Sequence, residues 1–312
     1  RFLFGPADNA TFTDRFLQAA VASKRWTTFS ASCPSWDDAL GSATPDALLL
    51  WPGYSSVPSW VWSAPVPVVA LAHDPNLLWH GYRHLLPLAD SVLTDAPSAK
   101  RLHRAGIQAK AANLYGLDRH FLAEIDTSEG ERTWDVVFVG NVNPAVQRER
   151  GLWLSRLAKL TDRYRVKIAT GVFGAEYRSL LRQAKLVFNH SIRRECNLRA
   201  FEAAASGAVL LQEASNTEVP QYLEPGGEFA VYTHDNFEAV IERLLADEPE
   251  RQMIAERARQ RVRGYSFESL IEQAVNIEGA DFDALKERAA RRLIQGYSAC
   301  RQHWPSSRAL PG

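Results

Sequence analysis

Short apolar runs alternate with longer stretches of helical period, and the alternation occurs twice along the 312 residues. No other feature limits the fold so strongly. A strand buried on both faces reads as a continuous Val, Ile and Leu run, and parallel neighbours need a crossover helix between them, so this pattern predicts βα units around a parallel sheet. In the first half the runs fall at residues 2–4, 26–30, 47–51, 66–72, 91–94 and 108–112, with helical stretches over 11–23, 75–86 and 97–105. Residues 125–133, acidic with Ser and Gly and without apolar period, read as a linker. A second series restarts with runs at 135–139, 165–169, 185–189, 208–212 and 228–232, separated by helical stretches over 145–161, 175–184, 197–206 and 236–246. From residue 249 onward only helical period remains. The predicted class is α/β with two doubly wound, Rossmann-like domains: residues 1–124, residues 134–265 and a set of helices over 266–312. Parallel sheets take ligands at the carboxyl ends of their strands, so two of them facing each other are expected to form a cleft.

Composition removes several function classes. Thirty-six basic residues balance thirty-six acidic ones, so no global field draws the chain to nucleic acid or to an anionic membrane. The longest apolar runs, such as 66–72, fall far short of the roughly twenty residues a membrane helix needs. Cys33, Cys196 and Cys300 are odd in number and far apart, which fits neither a disulfide framework nor a zinc site and favours a reducing cytoplasm. His80 and His84 stand four apart on one predicted helix, yet the Glu of a zincin motif is missing, and no metal is expected. There is no Gly-x-Gly-x-x-Gly after the first run of either half, no P-loop and no Gly-x-Ser-x-Gly turn. The chain opens at Arg1 without an initiator Met and is expected to be part of a longer, multidomain polypeptide.

The most informative stretch is 190–207, His-Ser-Ile-Arg-Arg-Glu-Cys-Asn-Leu-Arg-Ala-Phe-Glu-Ala-Ala-Ala-Ser-Gly. A buried strand ends at Asn189 and His190, a polar loop carries Arg193 and Arg194, and a helix opens with Asn197 as its capping residue and stops at Gly207. The first helical turn aims free N–H groups and the positive dipole end at the strand-end crevice, with Leu198 and Arg199 on it, which outlines a diphosphate site. Glu202 lies three residues past Arg199 on the same face, where a carboxylate can accept bonds from ribose hydroxyls; the competing reading is a solvated Arg–Glu pair.

This stretch resembles the donor-site signature of bacterial glycosyltransferases of the GT-B fold, in particular the CgeB-like (spore maturation protein) group related to glycosyltransferase family 4. Val137-Phe-Val-Gly-Asn141 resembles the strand and glycine loop that open the donor domain, residues 177–191 its helix and strand before the signature, and residues 224–228 the turn after it. The resemblance covers about 135–265. It implies a nucleotide diphosphate sugar as co-substrate, no metal, a sugar, protein or glycan acceptor, retention of anomeric configuration, and final helices packed back across the cleft. It places Glu195 in catalysis and His190, Arg193, Asn197, Leu198, Arg199 and Glu202 at the donor. Two departures stand out. The glutamates Glu195 and Glu202 are separated by six residues where relatives usually show seven, and Asn141 stands where relatives carry Arg. Arg148, Arg150 or Lys167 can supply the charge that Asn141 lacks.

In the first half, Val68-Val-Ala-Leu-Ala-His-Asp-Pro75 resembles the strand-end His-Asp of the same enzymes, which assigns His73 to the transferred sugar. Asp74 before Pro75 is also the pattern of a helix N-cap followed by proline at the first helical position. Gly5 and Asp8, after the first strand, are weaker acceptor-side candidates. Residues 113–121 resemble a hinge closing the first domain. Trp51, Tyr54, Trp60 and Trp62 form an aromatic group that suits sugar or peptide stacking, or equally a core. The expected activity is sugar transfer; a catalytically silent nucleotide-sugar-binding module and a nucleotide-sugar epimerase are the alternatives.

Overall fold

A computed structural model of the chain describes residues 1–126 and 130–300. Residues 127–129 of the expected linker and the Ser-Pro-Gly tail over 305–312 lie outside the described residues. The chain divides into two compact units, one of Leu117–Ser266 and one of Arg1–Gly116 together with the segment from Phe267. The division falls inside the segment 113–121 that resembles a hinge.

The first unit holds a six-stranded sheet of β1 (Phe2–Gly5), β2 (Trp26–Thr28), β3 (Ala47–Leu50), β4 (Val68–Leu71), β5 (Ser91–Thr94) and β6 (Ala109–Ala111). The order is β2-β1-β3-β4-β5-β6 and every pairing is parallel. β1, β3 and β4 are buried along their whole length, as their unbroken apolar sequences require. Helices α1 (Ala10–Phe16), α2 (Gln18–Ala22), α3 (Trp36–Leu40), α4 (Pro75–Leu85) and α5 (Ala96–Arg104) lie in the crossovers. The single helical stretch expected over 11–23 is interrupted at Leu17, and α3 has too short a period to be read from sequence.

The second unit runs α6 (Arg119–Glu124), β7 (Trp134–Val139), α7 (Arg150–Ala158), β8 (Val166–Ala169), α8 (Gly174–Arg182), β9 (Ala184–Phe188), α9 (Leu198–Ala205), β10 (Val209–Glu213), β11 (Ala230–Tyr232), α10 (Phe237–Ala246) and α11 (Glu248–Val262). Its five strands pair in parallel in the order β11-β10-β9-β7-β8. The helix expected over 145–161 begins only at Arg150. Two further helices, α12 (Phe267–Val275) and α13 (Ala280–Cys300), belong to the first unit. There Glu268 accepts from Ala20 N at 3.0 Å, and Arg292 forms a bidentate bond to Asp90 and donates to the carbonyls of Trp62, Ala64 and Val66. Among the described residues, no helix is long and apolar enough to cross a membrane.

Helix α9 decides the shape of the candidate site. Its alanines 200, 203, 204 and 205 are buried, and with no bulk beyond Cβ they let the helix approach the sheet closely while favouring helix intrinsically. Gly207, at φ 69°, ends it as predicted: Gly207 N donates to Ala204 O and Ala208 N to Ala203 O, the paired bonds of a left-handed C-cap.

Candidate functional site

In the second sheet the strand order reverses between β7 and β9, with β8 on one side of β7 and β9, β10 and β11 on the other. Such a reversal opens a crevice outside the strand ends. Gly140 and Asn141 follow β7 there, and Asn189 and His190 follow β9.

Arg199, in the first turn of α9, bridges both ends. Its Nε and Nη2 donate to Val139 O at 3.0 and 2.5 Å, and Nη1 donates to Asn189 Oδ1 at 2.7 Å. Gly140 admits it, because a Cβ at that position would stand 2.3 Å from Arg199 Nη2. Arg150 is buried and ties the same two loops, donating from Nη1 to Asn141 O at 2.8 Å and from Nη2 to His190 O at 2.7 Å. Burial, with Arg199 adding to it, pushes the Arg150 guanidinium down to about 10. Asn197 occupies the N-cap position of α9, but its side chain does not cap the helix. It exchanges amide bonds with Asn189 at 3.1 and 3.2 Å, and Asn189 reaches on to Gln212 at 2.7 Å. The expectation of a side-chain cap is thereby corrected: the strand-end amide competes for Asn197 and wins it.

Beside this junction lies a pocket of about 370 Å³ lined by Arg148, Arg150, His190, Arg193, Arg194 and Glu213, among others. The strand end presents His190, whose Nδ1 is 3.0 Å from Tyr232 Oη and whose Nε2 is 3.5 Å from the Glu149 carboxylate. The loop behind it is shaped by two buried carboxylates. Glu195 accepts from its own loop, Ile192 N at 3.2 Å and Arg193 N at 2.5 Å, and burial raises its pKa above the usual carboxylate range. Glu213, ending β10, accepts from Ser191 N at 3.1 Å and from Ser191 Oγ and Gln212 Nε2. Arg194 takes a left-handed backbone, φ 66°, which turns the loop between the two guanidinium-bearing residues. Four arginines around one concave surface present planar guanidinium forks that suit the multiply accepting oxygens of a phosphate group.

The remaining donor-side candidates lie elsewhere in the unit. Glu202 is buried and accepts from Tyr177 Oη at 2.6 Å. Leu198 is half-buried at the start of α9. Lys167 departs from the group: its ammonium rests 5.6 Å from the ring of Trp134, the first residue of β7, at the end of the strand opposite the crevice. It does not supply the charge missing at Asn141; Arg150 contacts the Asn141 carbonyl instead. The roles of Glu213 and Tyr177 escape sequence reading. The only trace of Glu213 is a carboxylate closing an apolar run, and Tyr177 meets Glu202 only across the fold.

In the first unit the order reverses between β1 and β3. Gly5 ends β1 with no room for a side chain, since a Cβ there would lie 2.6 Å from Phe29 Cδ1 and O. Asp8 is exposed and accepts from Ala31 N through both oxygens, at 3.1 and 3.0 Å, closing the turns after β1 and β2. His73, after β4, is buried and stacks on Trp51 with centroids 4.4 Å apart and planes 13° from parallel. Asp74 holds the N-cap position of α4, with Pro75 following, but its backbone is left-handed at φ 45° and ψ 46° and its side chain makes no cap bond. A capping side chain needs an extended backbone. The Asp74 carboxylate accepts instead from Tyr115 Oη at 3.4 Å. Of the aromatic group, Trp62 is core, Trp60 is half-buried and donates to Cys33 O, and Tyr54 is 75% exposed. Arg83 Nε donates to His84 Nε2, and among the described residues no group of three or more His, Cys, Asp or Glu is arranged to hold a metal.

A family model described as glycosyl transferase-like matches residues 117–276, half of the chain and the part that carries the arginine pocket. No curated protein sequence matches the chain. Among solved structures, an alpha-glucosyltransferase (AGT) in complex with UDP is similar with a TM-score of 0.56 and 10% identity, over 88% of this chain and 98% of that one. A mutant of S. aureus TarM, in complex with Fondaparinux, alpha-GlcNAc-glycerol and UDP, gives a TM-score of 0.50 and 11% identity, over 75% of this chain and 55% of that one. A GtfA/B complex gives 0.47 and 12%, over 78% and 57%. The chain thus spans little more than half the length of the GtfA/B and TarM chains. At these identities the likeness shows the fold, an α/β GT-B architecture with two parallel sheets.

Proposed function

The chain belongs to the glycosyl transferase-like family, and from that premise we propose that it transfers a hexosyl group from a nucleoside diphosphate sugar to a sugar, protein or glycan acceptor. The observation that carries the reading is the arginine-lined pocket at the β7/β9 reversal, inside the family-matched residues. On this reading Arg148, Arg193 and Arg194 hold the diphosphate, and Arg150 and Arg199 fix the strand ends from which those side chains are presented. Positive charge placed in advance stabilises the leaving diphosphate, and the reaction proceeds without a metal ion and with retention at the anomeric carbon. Residues 134–265 hold the donor and residues 1–124 the acceptor, in a cytoplasmic protein of the CgeB-like type. Glu202, with Tyr177, faces the ribose hydroxyls. Glu195 positions the Ile192–Arg193 turn, and His73 serves the transferred sugar.

A silent binding module is the second reading, favoured by one observation: the expected catalytic carboxylate, Glu195, already accepts from two amides of its own loop. A panel of UDP-, GDP-, ADP- and dTDP-sugars separates the two. UDP-sugars head the panel because the AGT and TarM structures hold UDP. Saturation a hundredfold above Kd stabilises a protein by about 2.7 kcal/mol, a shift easily read as Tm. A Tm rise with nucleotide diphosphate release supports the transferase; a rise without release or turnover supports the binding module. If no nucleotide sugar raises Tm, both readings fall.

A further inference from the structure

Two residues after β3 and β4 of the first sheet hold backbones that side chains other than glycine rarely adopt: Tyr54 at φ 61° and Asp74 at φ 45°. A bulky residue in this region is strained, and such strain persists only where the surroundings hold it. Nothing in the core requires it of Tyr54, which is 75% exposed. The neighbours of Tyr54 are nevertheless fixed. Its ring centroid lies 5.7 Å from that of His73, and His73 lies flat on Trp51. Gly53 is pressed against the same imidazole, with a Cβ at that position 2.1 Å from His73 Cε1. Trp51 and His73 stack, and Tyr54 meets His73 tilted by 46°, so the group starts in the partly buried interior and ends in an open ring beside the β1/β3 reversal. Polar groups rim it: the Tyr54 hydroxyl, and the Asp74 carboxylate, which acts electrostatically on the phenol.

We infer that Tyr54 is a stacking residue for a saccharide acceptor, the class of acceptor this first-unit surface takes if the chain is the transferase proposed above. A pyranose offers an apolar C–H face bounded by hydroxyls, which matches an open aromatic ring bounded by an acceptor carboxylate and a hydroxyl. An extended peptide is the poorer match. Docking by strand addition needs a sheet edge, and β3 and β4 lie inside the sheet, whose edges are β2 and β6; a peptide laid on the ring itself is the alternative that the titration below includes.

The test is direct binding to the full chain without donor, so that it stands or falls apart from the donor reading. Di- to tetrasaccharides of neutral hexoses and N-acetylhexosamines, and a Ser/Thr-rich peptide, are titrated against wild type, Tyr54→Gly, Tyr54→Phe and, as a control, Leu77→Ser, which removes another partly exposed apolar side chain. Glycine adopts φ 61° without cost, so Tyr54→Gly keeps the backbone and removes only the ring. Expected are saccharide binding by wild type, about tenfold weaker binding by Tyr54→Gly, and near-wild-type binding by Tyr54→Phe and Leu77→Ser. No saccharide bound by wild type, equal binding by Tyr54→Gly, or binding of the peptide alone overturns the inference. Saccharide binding through Tyr54 with no nucleotide sugar bound would sink the transferase reading while keeping Tyr54 as a saccharide-stacking residue, and would overturn the acceptor role.

Discussion

The carboxyl ends of the two sheets use different chemistry to build the same kind of crevice. In the second unit the loops after β7 and β9 are stitched by guanidinium groups and amides: Arg199 to Val139 and Asn189, Arg150 to Asn141 and His190, Asn189 to Asn197 and Gln212. In the first unit the corresponding loops are held by rings, with His73 on Trp51, and Trp51 among Phe4, Phe12 and Phe267. The charged network of that unit is remote from its crevice, since Asp90 precedes β5 at the amino end of the strands. A polar network leaves donors directed at a ligand, whereas a ring stack offers a face and an edge. Charge placed at the strand ends suits a phosphate, and charge placed at the opposite ends serves the fold alone.

The largest effect is expected where charge serves the fold. Replacing Arg292 by Met leaves the Asp90 carboxylate buried without its partner, a loss of about 3–5 kcal/mol, read as a lower midpoint in denaturant unfolding. Nucleotide-sugar affinity should be unchanged in the surviving folded fraction; an equal loss of affinity would break the distinction between the two ends. Next comes Arg193→Ala in the pocket. Removing a charge-assisted bond to phosphate costs about 1.5–3 kcal/mol, a tenfold or greater rise in Kd for nucleotide sugar by calorimetry.

A pair of glycine substitutions sharpens the contrast. Gly53→Ala drives a methyl into an imidazole that Trp51 holds flat, so overpacking of about 1–3 kcal/mol should appear in Tm. Gly140→Ala meets the Arg199 guanidinium and, at 3.1 Å, Phe138 Cζ; displacing Arg199 from Val139 and Asn189 should appear as weaker nucleotide-sugar binding more than as lower Tm. If both act equally on Tm, the second crevice is as rigid as the first. The smallest effect is a slope. Burial raises the folded-state pKa of Glu195 above its ordinary value of 4.5, so the folded protein holds that proton more tightly than the unfolded chain. The stabilisation is complete below about 4.5 and is lost as pH rises through the folded pKa. Glu195→Gln should flatten this part of the stability profile and gain on wild type as pH rises; an unchanged slope would show that Glu195 does not carry it.

The fully buried parallel strands were legible in the sequence because burial on both faces leaves no polar position to interrupt the apolar run, as in residues 136–139 and 47–50. Helix α9 was legible for the same kind of local reason, its alanines and Gly207 setting its body and its end. The short helices α3 and α6 were not, since five or six residues are too few for a helical period to show.

For the site, sequence by itself determined which residue types gather after β9: arginines, a histidine, two asparagines and a glutamate within one loop and one helical turn. Only the tertiary structure decided what each of them touches. Asn197 gives its side chain to Asn189 rather than to its helix, Lys167 turns to Trp134, Asp74 leaves its cap in a left-handed turn, and Glu213 joins the loop from another strand. The reason is physical. Periodicity and capping are local preferences worth about 1 kcal/mol, and a buried polar atom whose bond is left unmade costs as much or more, so side chains go to the partners that the folded backbone brings within reach.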